Sequence, residues 1–168
     1  MTLDTLNTLP KSEALEQFAI CCGASKWVEK ITAFRPFQHK NELFDLTEKI
    51  WFSLNSEDWL EAFSHHPKIG DIDLLRKKFK KTKSWSEKEQ SGIQEAGENI
   101  LKDLAESNRL YEEKFGYIFI VCATGKSAGE MLALLKVRLE NDPEGELLIA
   151  AKEQNKITQL RLDNLLSL

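Results

Sequence analysis

The chain has 168 residues, 42% of them hydrophobic, which suits one domain of ordinary size with a single core. Its 23 Lys and Arg against 27 Asp and Glu leave a formal charge of −4, which argues against a nucleic-acid backbone as the main ligand. No apolar run approaches the about 18 residues of a membrane span and no basic-then-apolar leader opens the sequence. Cys21, Cys22 and Cys122 fit no CxxC or zinc spacing, so reduced thiols and a soluble, cytoplasmic protein without membrane or nucleic-acid contacts are expected.

Leu15, Phe18, Ala19 and Cys22 recur at helical spacing from Ser12 and stop at Gly23, where a left-handed cap costs little. Ser25 is placed to cap a second helix through Trp27, Val28 and Ile31, ending before Arg35-Pro36. Asn41 is placed to cap a third, with Leu43, Leu46, Ile50 and Leu54 on one face, and Ser56 a fourth carrying Trp59, Leu60 and Phe63. Trp51 and Trp59 read as core.

Ser64-His65-His66-Pro67-Lys68-Ile69-Gly70-Asp71 follows. Proline keeps His66 out of helical geometry, and an imidazole with a pKa of about 6.5 gives or takes a proton near neutrality. Two readings stand at this point: a catalytic loop, or histidines that cap the preceding helix. A metal site built from His65, His66 and Asp71 meets an objection, because adjacent side chains of an extended segment point to opposite sides. The run Arg76-Lys77-Lys78-Phe79-Lys80-Lys81-Thr82-Lys83 reads as a solvated face with Phe79 buried, or as an anion-attracting rim beside the loop.

Leu74, Leu75 and Phe79 mark a short helix. The longest helical pattern runs from Ser86 through Ile93, Ala96, Ile100, Leu104, Tyr111 and Phe115 to Gly116. Ser86 and Glu89 have the spacing of a capping box, although Glu89 with its neighbour Gln90 could instead face the histidine loop. Tyr117 to Ala123 is an apolar, β-prone run with no sheet partner in sight, so its amides and carbonyls must find helix ends, water or a ligand. Thr124-Gly125-Lys126-Ser127 imitates the end of a phosphate-binding loop, but Ile120 stands where the first glycine belongs. Ser127 then caps a helix through Met131, Leu134, Leu135 and Val137. Asp142-Pro143 starts a last long helix through Leu147, Leu148, Ala151, Ile157, Leu160 and Leu165. Arg161, one turn after Ile157, either turns inward or lays its stem over that stripe. The sequence predicts an all-α, single-domain bundle of about seven to nine helices with one short extended segment near 117–123.

Four motifs occur in order: His66-Pro67-Lys68-Ile69-Gly70-Asp71; Ser86-x-x-Glu89-Gln90-x-Gly92; Phe115-Gly116-Tyr117 with Phe119-Ile120-Val121-Cys122-Ala123; and Ile157-x-x-Leu160-Arg161-Leu162. Together, over nearly all of residues 1–168, they resemble the 2-oxo-4-hydroxy-4-carboxy-5-ureidoimidazoline (OHCU) decarboxylases of urate degradation. The resemblance implies an all-helical carboxy-lyase that converts OHCU to (S)-allantoin. The substrate carries a hydroxyl and a carboxylate on one ring carbon beside a carbon–nitrogen double bond that can accept electrons. No pyridoxal, thiamine or metal cofactor is therefore implied.

By the same resemblance His66 is the catalytic acid or base, and Pro67 fixes its approach to the substrate. Glu89 orients or tunes that imidazole or bonds the substrate, and Ser86 and Gln90 hydrogen-bond the ring and ureido groups. Val121, Cys122 and Ala123 form a backbone-binding edge, and Arg161 clamps polar or anionic substrate atoms, a task its planar fork suits. The implied partners are the small-molecule substrate, a second copy of the chain, and the preceding 5-hydroxyisourate hydrolase. Lys68 and Thr124 depart from the arginines common in the family, and His65 lies outside the matched motif. The alternative is a catalytically inert helical interaction module of the same fold associated with the urate pathway, which the joint presence of His66, Glu89 and Arg161 disfavours.

Overall fold

The computed structural model describes residues 1–67, Leu75 and 87–167, with side chains from 97 onward in the last stretch. Among the described residues there are eight helices and no strand: α1 (Leu3–Thr8), α2 (Lys11–Cys21), α3 (Ser25–Ala33), α4 (Lys40–Phe52), α5 (Ser56–Ser64), α6 (Glu87–Phe115), α7 (Ala128–Leu139) and α8 (Pro143–Ser167). This is the all-α class that the periodicity predicts. The chain forms two compact units, one of Met1–His66, Ile120–Cys122 and Leu147–Leu168, the other of Pro67–Phe119 and Ala123–Glu146. The short helix expected around Leu74 and Phe79, apart from the buried Leu75, lies outside the described residues, as does the whole basic run from Arg76 to Lys83.

In the first unit, Phe18 meets Trp27 and Phe37 edge-on, with centroids 6.1 and 6.4 Å apart. The indole N–H groups of Trp27, Trp51 and Trp59 donate to the carbonyls of Thr47, Ala151 and Trp51 at 3.0, 2.8 and 3.0 Å. Each ring thus joins the apolar interior with its polar edge satisfied, and Trp51 ties α4 to α8.

Helix starts in this unit depart from the local expectation. Ser25 is the first residue of α3 rather than its cap. Its N–H and hydroxyl both donate to the Glu61 carboxylate of α5, at 3.1 and 2.5 Å, so an acid from another helix serves the orphan amide end. No side chain caps α4, which starts after His39 and before Asn41. The cap of α5 is Asn55, one residue earlier than expected, in a capping box with Asp58. Gly23 does not adopt the left-handed conformation expected of it, which among the described glycines falls to Gly116 and Gly125.

On α8 the buried side chains are Glu146, Ala150, Ala151, Gln154, Thr158 and Leu162, whereas Leu148 and Leu160 are 52% and 41% exposed. The face turned to the interior is therefore partly polar, unlike the predicted stripe.

In the second unit, α6 buries Leu101, Leu104, Ser107 and Tyr111 and stops at Gly116, whose φ of +79° is the conformation glycine tolerates best. The capping box of α7 is Ser127 with Glu130, as the sequence predicts. Its buried face is Met131, Leu132, Leu135 and Arg138, while Leu134 and Val137 are exposed. Asp142 accepts the Gly145 N–H at 2.8 Å ahead of α8, so Asp142-Pro143 is the helix start expected. Residues 118–123 adopt neither helix nor strand.

Candidate active site

His66 owes its place to the end of α5. The N–H groups of His65 and His66 donate to Ala62 and Phe63 carbonyls, both at 3.2 Å, which tightens the last turn before Pro67 breaks the helix. His65 packs over Gly23: a Cβ on that glycine would fall 2.5 Å from the His65 Cγ and 2.7 Å from its Cβ. The two imidazoles thus have different partners, since His66 is half-buried and its Nε2 lies 2.5 Å from Gln154 Oε1 on α8.

The face of α8 that holds His66 carries a short polar ladder. Gln154 Nε2 donates to Thr158 Oγ1 at 3.1 Å, and the Thr158 hydroxyl donates to the Gln154 carbonyl at 3.0 Å. Gln154 and Thr158 are buried. One turn on, Arg161 Nη1 donates to the Ile20 and Cys21 carbonyls, both at 3.3 Å, placing a cation on the carbonyl end of α2. Arg161 is thus half-buried, with its guanidinium seated on the end of α2.

Burial holds the His66 imidazole below its ordinary pKa. The hydrogen bond to Gln154 opposes that shift, and the positive Arg161 and neighbouring His65 add to it. The ring is therefore neutral at pH 7. Burial also pushes the Cys21 thiol up to about 12 and that of Cys22 to about 11, against the pull of Arg161. Both stay protonated at neutral pH, unlike a nucleophilic thiolate.

Ile120 is buried, and Val121, Cys122 and Ala123 are half-buried. The Cys122 N–H donates to Glu153 Oε2 at 2.8 Å, while Glu153 Oε1 pairs with Lys156 at 2.5 Å. Of the residues singled out in the sequence, His66, Val121, Cys122 and Arg161 fall in the first unit; Pro67, Glu89, Gln90 and Ala123 belong to the second. Ser86 lies outside the described residues, and only the backbone of Glu89 and Gln90 is described, in the first turn of α6. Sequence reasoning missed Gln154, Thr158 and Glu153. The available signal for the first two was their spacing with Ala150 and Leu162 along one side of α8.

These features define a helical protein that presents a neutral imidazole and a guanidinium from one unit, suited to moving a proton beside an anionic group. Residues 7–163 match the sequence profile described as OHCU decarboxylase. The chain belongs to the OHCU decarboxylase family. It is 41% identical over 155 residues to the Arabidopsis thaliana "Uric acid degradation bifunctional protein TTL", covering 90% of this chain and 47% of that protein. The 2-oxo-4-hydroxy-4-carboxy-5-ureidoimidazoline decarboxylase of Amia calva is 30% identical, with 99% of this chain and 95% of that protein covered. A crystal structure of OHCU decarboxylase in the presence of (S)-allantoin superposes with a TM-score of 0.73 at 40% identity, over 90% of this chain and 98% of that one. The chain spans less than half the length of the bifunctional relatives it matches, 47%, 32% and 33% of three of them.

Proposed function

We propose that this protein decarboxylates OHCU to (S)-allantoin without a cofactor, with residues 1–168 acting as one domain. What carries this reading is a half-buried imidazole, held below its ordinary pKa and near a guanidinium, in a chain of this family. His66 takes the proton of the substrate hydroxyl, whose oxygen becomes a carbonyl only when the neighbouring carbon is protonated. The bond to the carboxylate breaks, carbon dioxide leaves, and the electron pair moves into the adjacent carbon–nitrogen double bond. The ring nitrogen takes a proton from the medium, and the neighbouring carbon receives the proton that His66 returns to one face. Arg161 fixes polar or anionic substrate atoms. Pro67, Ser86, Glu89 and Gln90 take the positions that the family motifs assign them, and the backbone of Val121, Cys122 and Ala123 borders the heterocycle.

The protein works in the cytoplasm as a homodimer and in association with the preceding 5-hydroxyisourate hydrolase. The last point is supported by relatives named as bifunctional proteins of uric acid degradation.

The test generates the substrate in place from urate, with urate oxidase and the hydrolase, and follows the circular dichroism of allantoin. Rapid formation of one enantiomer is expected, against racemate from unassisted breakdown. His66→Asn removes most of that activity while keeping the helical spectrum. A rate no faster than the blank overturns the reading in favour of an inert helical module.

A further inference from the structure

We propose that Gln154, locked by Thr158, is a positioning residue that fixes His66 as the Nε2–H tautomer and reserves Nδ1 for proton transfer. The inference rests on the reading of His66 as the acid–base group. It starts from a count of hydrogens on α8. Thr158 has one hydroxyl proton, which goes to the Gln154 carbonyl at 3.0 Å, while the protonated Cys22 thiol beside it can itself donate to the hydroxyl oxygen. Toward the Gln154 side chain, 3.1 Å away, Thr158 Oγ1 is therefore an acceptor, and the amide must present its NH₂ there. That leaves Gln154 Oε1 facing His66 Nε2 at 2.5 Å. An amide oxygen only accepts, so Nε2 carries a hydrogen, and in the neutral ring the basic lone pair is on Nδ1.

This bond survives the reaction. The imidazolium also has a hydrogen on Nε2, so the ring keeps its partner whether Nδ1 has just taken a proton or is about to give one. The helix supplies the geometry, because residues four apart lie on one face and a threonine hydroxyl readily bonds the carbonyl four residues back. A carboxylate here would orient the ring equally well, but its charge would hold the proton on the imidazole. The neutral amide orients without doing so, and burial of Gln154 keeps water from offering the ring an alternative partner.

The tautomer is read from long-range ¹H–¹⁵N spectra of ¹⁵N-histidine-labelled protein. There are three histidines, and His66→Asn assigns the resonance. Above its pKa, His66 is expected to show a protonated Nε2 and an unprotonated Nδ1. Gln154→Met removes the acceptor, and Thr158→Val frees the amide to turn over. In both, the ring becomes a mixture of tautomers, and kcat falls by at least about tenfold, a part of the 10²–10⁴ that an acid–base group contributes, with KM little changed. Gln154→Glu keeps the acceptor, so it retains the Nε2–H tautomer and moves the acidic limb of kcat to higher pH. A protonated Nδ1 in the unaltered protein, or an unchanged ring spectrum and kcat in Gln154→Met, overturns the inference. Full activity in His66→Asn overturns instead the underlying assignment of His66, an outcome the ring spectra alone do not produce.

Discussion

Gly23 and His65 occupy one another's space: the glycine leaves room for the imidazole's own Cβ and Cγ, not for the far end of a side chain that could swing aside. The residue after His65 is the candidate acid–base group, so a constraint on the backbone at His65 is a constraint on where His66 begins.

Gly23→Ala therefore has to move backbone. A loss of about 1–3 kcal/mol is expected, the usual cost of overpacking, together with a fall in kcat as His66 is displaced from Gln154. His65→Ala keeps the Cβ that the packing accommodates, and it is expected to retain most of the stability. Chemical denaturation and turnover of the two variants check this; equal behaviour would show that the contact does not set the loop.

The pH dependence follows from His66. Its imidazole is held below its ordinary 6.5, first by burial and then by Arg161 and His65, with Gln154 opposing. If the neutral ring is the base, kcat/KM falls only as the pH drops through that lowered value, below 6.5. Stability carries the same sign. The unfolded chain binds this proton first, so the contribution of the neutral ring is complete above the unfolded pKa and is lost as pH falls through the folded one. Arg161→Gln removes a cation that disfavours the imidazolium. The acidic limb should move up toward the ordinary value, while KM rises because the clamp on the substrate is gone. A limb that stays put would separate Arg161 from His66.

What was legible in the sequence is what is decided within a few residues. Ser127 with Glu130, Asp142 before Pro143, and Gly116 at the end of α6 are local devices, and each stands where it was expected. Ser25 was misread because its partner, Glu61, is 36 residues away and supplies an acceptor no local pattern announces. The polar side of α8 was hidden for a related reason. Apolar periodicity assigns Leu148 and Leu160 to the interior and passes over Gln154 and Thr158 because they are polar, yet the two satisfy one another and His66, and so can be buried. The candidacy of His66 and Arg161 rests on motif order, since either residue alone has an ordinary structural role.

Glu153 bears on the extended segment. Its carboxylate accepts the Cys122 N–H, the amide proposed to border the heterocycle. If substrate uses that amide, it must replace Glu153, and Glu153→Ala should lower KM with little change in kcat. The neighbouring Lys156, itself 61% exposed, loses its carboxylate partner, a pair worth about 0–1 kcal/mol, so the ion pair itself adds little to the stability change. A raised KM would instead make Glu153 a support that holds the segment in shape.

In the second unit, Glu146 is fully buried and gathers Arg138, Tyr111 and Asn141 around one carboxylate. Arg138 Nη2 lies 2.5 Å from Glu146 Oε1, and its guanidinium stacks 4.6 Å from the centre of the Phe119 ring. Burial, and then the bond that the Tyr111 hydroxyl donates to Glu146, hold that phenol well above its usual pKa. Glu146→Gln keeps the shape and one acceptor oxygen but removes the carboxylate charge that faces the buried Arg138, and a loss of about 3–5 kcal/mol, that of breaking a buried ion pair, is expected. Replacing both partners with apolar residues, as Arg138→Met with Glu146→Leu, removes the charge along with its counterion and should recover much of that loss, although Tyr111 and Asn141 then lack their acceptor. Urea denaturation of the single and double variants gives the comparison. If the double variant is no more stable than Glu146→Gln, the stability lies in the hydrogen bonds of Tyr111 and Asn141 rather than in the ion pair.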